Sequence, residues 1–230
     1  GLWARAVLAL SLGFLSYVWA KNRASEWGAA WSTCDLNLSM IAIDGKDLQT
    51  TIPALEPPKI IGRTNGKLEI LVNVSPSLNL HLFEADNESQ QKLVDVAYTS
   101  PVAAVAADPS AEDPYGVVLW PAAQVVAAAL VRLPHLQGAS VLELGAGTGL
   151  CSLAAAACGA DVLATDYSAS ALELLHAAIP VNECAFGQQL QVRTQFFDIK
   201  GEEPLPPTDI LVVADLLYMK STSVATAKRC

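Results

Sequence analysis

The run Val-Leu-Glu-Leu-Gly-Ala-Gly-Thr-Gly-Leu at residues 141–150 constrains this chain more than any other stretch. An apolar segment ends there in glycines on alternate positions, Gly145, Gly147 and Gly149, and an alanine-rich pattern, Cys151 to Ala157, follows at once. The spacing predicts a strand, a tight turn and a helix. Glycine is needed where the backbone takes positive φ or must touch a ligand. The helix beyond such a turn offers free N–H groups, so a nucleotide-like ligand fits at this place. A glycine-rich turn that packs tightly and binds nothing is the competing reading. The dinucleotide fingerprint puts glycine at its first, third and sixth places, and counting from Gly145 the sixth is Leu150. The pattern is therefore Glu-x-Gly-x-Gly-x-Gly, led by Glu143.

The sequence beyond the turn alternates strand and helix signals. Asp161 to Thr165 reads as a second strand ending in Asp166, which lies 17 residues past Gly149. That is close to the roughly 20-residue spacing at which an acid on the second strand meets ribose hydroxyls. Ser168 can cap a helix whose apolar face is Ala171, Leu172, Leu174, Leu175 and Ala178, with Pro180 ending it. Leu190 to Phe197 alternates as a third strand and stops at Asp198. A proline-rich connection leads to Ile210–Ala214, a continuous apolar run suited to a buried parallel strand, followed by Asp215-Leu-Leu-Tyr218. The fold expected is α/β, a Rossmann-like parallel sheet. Acids close each strand, and carboxylates at Glu143, Asp166, Asp198 and Asp215 around one crevice repel an anionic dinucleotide. They suit a ligand bearing a sulfonium and an ammonium.

Composition excludes several classes. At a net charge of -9, and with no cluster of Lys and Arg visible in the sequence, no nucleic-acid partner is expected. Cys34, Cys151, Cys158, Cys184 and Cys230 form no C-x-x-C pair and the three histidines are scattered, so no metal site is expected. Cys151 and Cys158 read as small core hydrophobes on the helix.

Three parts follow in chain order. Residues 1–20 hold an apolar segment, Ala6 to Ala20, shorter than the roughly 20 residues of a comfortable membrane span. It reads as a signal or anchor, a buried helix, or an artefact of gene prediction, and is the one segment through which a membrane would be met. The sequons at Asn37, Asn73 and Asn87 weakly favour a secretory route. Residues 21–112 form an N-terminal extension. In it Ile60-Ile61 and Leu68 to Val74 flank Asn65-Gly66, a hairpin signal, and Leu78 to Phe83 alternates. Polar Glu84 to Lys92 and the Ala/Pro/Asp-rich stretch from Thr99 suit a loop. Residues 113–230 open with Tyr115-Gly-Val-Val-Leu-Trp120-Pro121, and Pro121 suits the first turn of an alanine-rich helix running to about Leu133.

Taken together, Tyr115-Gly116 to Trp120-Pro121, the Glu143 to Gly149 turn and Asp215-x-x-Tyr218 resemble methyltransferase family 16, the lysine-methyltransferase-like group of S-adenosylmethionine (SAM) enzymes. The resemblance covers Asp113 to Tyr218. It implies that Glu143, Gly145, Gly147 and Gly149 meet the methionine part of SAM, Asp166 the ribose and Asp198 the adenine. It also implies that Trp120 walls the pocket and that Asp215 and Tyr218 line the acceptor entrance as catalytic residues. Ile199 stands where the family often has tryptophan. The expected function is methyl transfer from SAM to lysine on a protein, by a monomer in the cytoplasm. The alternatives are another acceptor (histidine, arginine or a small molecule) and a non-catalytic SAM-binding module. Only 12 residues follow Tyr218, too few for the three further strands of the seven-strand class, so a C-terminally incomplete sheet is expected, with Leu211-Val212-Val213 as its exposed apolar edge.

Overall fold

A computed structural model of the chain describes residues 55–99, 114–216 and 220–229, with three short strands before them. In chain order these are β1 (Ala6–Leu10), β2 (Ser39–Met40), β3 (Leu48–Gln49), β4 (Lys59–Thr64), β5 (Lys67–Ser75), β6 (Leu78–Ala85) and α1 (Asn87–Thr99). They are followed by α2 (Pro121–Leu130), β7 (Ser140–Leu144), α3 (Leu150–Ala157), β8 (Asp161–Asp166) and α4 (Ala169–Phe186). β9 (Val192–Phe196), β10 (Ile210–Ala214) and α5 (Lys220–Arg229) complete the set. A parallel sheet runs in the order β1-β10-β7-β8-β9, and β4-β5-β6 form a separate antiparallel sheet.

The parallel core follows the sequence reading closely. All five residues of β10 are buried, as a strand covered on both faces requires. β7 registers Val141 against both Ile210 and Val162, so the glycine turn emerges between two flanking strand ends. Helix α3, Leu-Cys-Ser-Leu and four alanines, is buried from Leu150 to Ala156. A helix apolar on all sides must be covered on all sides. Here the covering is helix α2, the parallel sheet and strand β6 of the antiparallel sheet. Leu68, Ile70, Val72, Leu80 and Leu82 of β5 and β6 join Leu130, Leu150, Leu153, Val162, Leu175 and Val212 in one core. At about 1.5–3 kcal/mol for each fully buried large aliphatic side chain, this shared core outweighs any single polar contact between the layers. Asn65 and Gly66 take φ of 49° and 78° at the β4–β5 turn, the conformation their hairpin signal called for.

The antiparallel sheet is tied to α4 by Asn182, whose side chain has no solvent exposure. Its Oδ1 accepts the His81 amide at 3.0 Å and its Nδ2 donates to the His81 carbonyl at 2.7 Å. One amide side chain thus serves as strand partner at the β6 edge and satisfies both backbone groups there.

Four expectations are corrected. Pro180 does not end its helix: α4 continues to Phe186. The bond that proline removes is that of the carbonyl four residues back, on His176, and both residues are exposed, so water can replace it. Asn87–Thr99, which begins inside the polar stretch Glu84–Lys92 read as loop, is helix α1, started by the Asp86 carboxylate accepting the Ser89 amide at 2.9 Å. Ala6–Leu10, read as part of an apolar helix or leader, is a strand in the sheet. It pairs in parallel with the whole of β10, so Leu211-Val212-Val213 is not a bare sheet edge. Among the described residues no helix is long and apolar enough to cross a membrane.

Candidate active site

The turn between β7 and α3 holds Gly145, Gly147 and Gly149 at φ of 68°, 53° and 84°, all in the left-handed region that side chains avoid. Two of the glycines answer to packing. A Cβ on Gly145 would stand 2.4 Å from Leu216 Cδ2, and one on Gly149 would stand 2.3 Å from Leu175 Cδ1. Gly147 faces the backbone instead, with the Gly116 carbonyl oxygen 3.3 Å from where its Cβ would lie. The Tyr115–Trp120 loop therefore rests on the glycine turn.

Asp166, at the end of β8, is 5 % exposed and organises this turn. Its Oδ2 accepts the Gly147 amide and its Oδ1 the Ser168 amide, both at 2.8 Å. The carboxylate thereby ties the glycine turn to the start of the next helix. Ser168 in turn caps α4, its hydroxyl accepting the Ala171 amide at 3.2 Å. The turn is further held by Ala146 donating to the Thr165 carbonyl at 2.9 Å and by Thr165 Oγ1 donating to the Glu143 carbonyl at 2.7 Å.

Glu143 is 2 % exposed and accepts a hydrogen bond from the Ser152 hydroxyl on α3. Burial pushes its carboxyl up to about 7, the Ser152 and Cys151 hydrogen bonds only partly oppose this, and Asp166 adds repulsion. Cys151 lies in the same pocket, its thiol pushed well up by burial and by Glu143. The sequence reading passed over Ser152, the only hydroxyl in α3. A lone polar residue in an otherwise apolar helix was the available signal.

Trp120 is the residue before α2 and is half-buried. Its Nε1 donates to the Tyr115 carbonyl at 2.8 Å, and the two rings meet edge to face at 6.1 Å. Asp215 follows β10, 8 % exposed, at a φ of 58° that few residues other than glycine adopt. Asp198 follows β9 but is exposed, and its Oδ1 accepts the Lys200 amide at 2.8 Å. Three of the four acids gathered by the sequence reading are thus buried at strand ends or within β7, and the fourth is held in a surface turn. Tyr218 lies outside the described residues. An open groove of about 670 Å³ between Ile199–Leu205 and α5 is lined by none of these residues. No group of three His, Cys, Asp or Glu able to hold a metal ion occurs among the described residues.

A sequence profile for a family described as lysine methyltransferase matches residues 104–228. The protein N-lysine methyltransferase METTL21A of Danio rerio is 34% identical over 118 residues, covering 46% of this chain and 49% of that protein. The histone-arginine methyltransferase METTL23 of Mus musculus is 36% identical over 110 residues, covering 45% and 42%. Among solved structures, the magnesium protoporphyrin IX methyltransferase of Synechocystis with bound SAM is 18% identical with a TM-score of 0.39, covering 61% of this chain and 72% of that one. The chain spans about half the length of the curated relatives it matches.

Proposed function

We propose, from the premise that this chain belongs to the lysine methyltransferase family, that it carries out SAM-dependent methylation of a lysine side chain on a protein. The observation that carries the reading is the Gly147–Asp166 bond at 2.8 Å, which joins a left-handed glycine turn to a buried acid at the next strand end. The donor set fits SAM. The α3 N-terminus, where no side chain caps the helix, offers amides to a ligand carboxylate. The buried Asp166 at the strand end is assigned to the ribose hydroxyls, and the acids gathered at this crevice favour a cationic ligand. Bound there, SAM supplies a methyl already activated by its sulfonium.

The chain's own task is then alignment and exclusion of water. The Tyr115–Trp120 loop covers the glycine turn, with Trp120 as pocket wall. Asp198 is assigned to the adenine, and Tyr218 and Asp215 to the acceptor entrance. A lysine must react as the neutral amine, and with a reference pKa of ~10.4 its deprotonation at pH 7 costs roughly 4.6 kcal/mol. A carboxylate beside it raises that cost, so Asp215 is a positioning group for the incoming ammonium rather than the base. Arginine is the second reading, because one relative is named a histone-arginine methyltransferase.

Titration of the full chain with SAM and its demethylated product (SAH), followed by mass spectrometry of methylated peptides, tests the proposal. Binding that Asp166→Ala abolishes, with the methyl on lysine Nζ, is expected. A folded chain that binds neither compound overturns it, and methyl on a guanidinium moves the assignment to arginine.

A further inference from the structure

We propose that Glu84 is a positioning residue for the cofactor site: from the antiparallel sheet, it sets the Tyr115–Trp120 loop against the glycine turn. The inference rests on the reading of that turn as the SAM site. Strand β6 alternates, and Leu80 and Leu82 enter the core with no exposure. Two residues on, Glu84 enters on the same face and is 5 % exposed. Its Oε2 accepts the Leu119 amide at 3.1 Å, and the neighbouring Ala85 amide donates to the Val117 carbonyl at 2.8 Å. The end of β6 thus treats residues 117–119 as a short partner strand.

Stability alone gives no reason for a charge at this position. An aliphatic residue after Leu80 and Leu82 would pack the same core without the cost of desolvating a carboxylate. What the carboxylate adds is a directed bond to a loop amide adjacent to Trp120. That amide is three residues from Gly116, whose carbonyl fronts Gly147. The platform beneath is itself fixed, because Asn182 clamps β6 to α4 at His81. Glu84 passes the position of that platform to the loop.

The test compares Glu84→Ala and Glu84→Gln in the full chain by SAH titration and by amide hydrogen exchange. Glu84→Ala is expected to bind SAH about tenfold more weakly and to lose protection at Leu119, while protection in α3 stays as in the wild type. Glu84→Gln, whose Oε1 accepts the same amide, restores both. If Glu84→Ala loses its fold, Glu84→Leu keeps the volume beside Leu82 without the acceptor and carries the same comparison. Unchanged SAH affinity with Leu119 still protected overturns this inference alone. A folded wild-type chain that binds no SAH overturns the cofactor reading, and this inference with it.

Discussion

The amide of Gly147 donates to the Asp166 carboxylate at 2.8 Å, joining the turn after β7 to the end of β8. Since the same carboxylate holds the buried Ser168 amide, its removal frees two donors at once. Asp166→Ala is expected to destabilise the chain by about 3–6 kcal/mol, at ~1.5–3 kcal/mol for each charge-assisted bond, and to abolish SAH binding. Asp166→Asn, which keeps one acceptor, falls between. Denaturant unfolding curves that coincide for the wild type and Asp166→Ala would contradict this.

Gly149→Ala creates a clash at Leu175, 2.3 Å from the new methyl, and places alanine at a φ of 84°. Overpacking and left-handed strain together predict a loss of about 2–4 kcal/mol. Leu175→Ala removes the clash but not the strain. The double mutant should therefore be more stable than the sum of the single losses predicts, and strict additivity in thermal melts would show that the side chain is not the obstacle.

Glu143 gives a pH signature. Burial lifts its carboxyl to about 7 in the fold from its ordinary value of 4.5, so the folded state binds the proton more tightly than the unfolded chain. The contribution to stability is fully present below about pH 4.5. It falls as pH rises to about 7, by about 3 kcal/mol in all, and is flat above. Glu143→Gln, which cannot ionise, should match the wild type near pH 4 and exceed it at pH 8. A stability difference independent of pH would mean that Glu143 titrates normally.

Asp215 at a φ of 58° is held where glycine rests without strain. Asp215→Gly should lower turnover, because the carboxylate proposed to position the acceptor is lost, while relief of up to ~1 kcal/mol of backbone strain offsets part of the carboxylate's lost contact. Full turnover in this variant would remove Asp215 from the mechanism.

How much of this was legible in the sequence depended on the range of the interactions. β10 announces itself because a strand buried on both faces must be apolar throughout, and β7 and β8 because short apolar runs there lead into the glycine turn and into Asp166. Gly147 and Asp166, grouped only by spacing, meet in space. Helix α1 was hidden because its support is polar: the Asp86 cap, the Glu88–Lys92 pair at 2.9 Å and the Gln91–Asp95 bond at 2.8 Å. Pro180 misled because the helix-breaking rule assumes that the freed carbonyl has no substitute for its lost bond, whereas here it faces solvent. Glu84 reads as the start of a polar stretch, and Ser152 as nothing but a lone hydroxyl among alanines. Their partners, Leu119 and Glu143, are set by tertiary contact and not by neighbours in the chain.

In the parallel sheet the earliest strand lies beside the latest: Ala6 is matched to Ile210, 204 positions further on. The entropy of closing so long a loop grows only with the logarithm of its length, so the pairing is thermodynamically affordable, yet it cannot start folding. β7 to β10 can assemble over a short span, with β1 docking afterwards onto a finished edge. Strand β1 should then be the first to detach, opening and closing below the threshold of global unfolding and exchanging its amides while the three inner strands, β10, β7 and β8, stay protected.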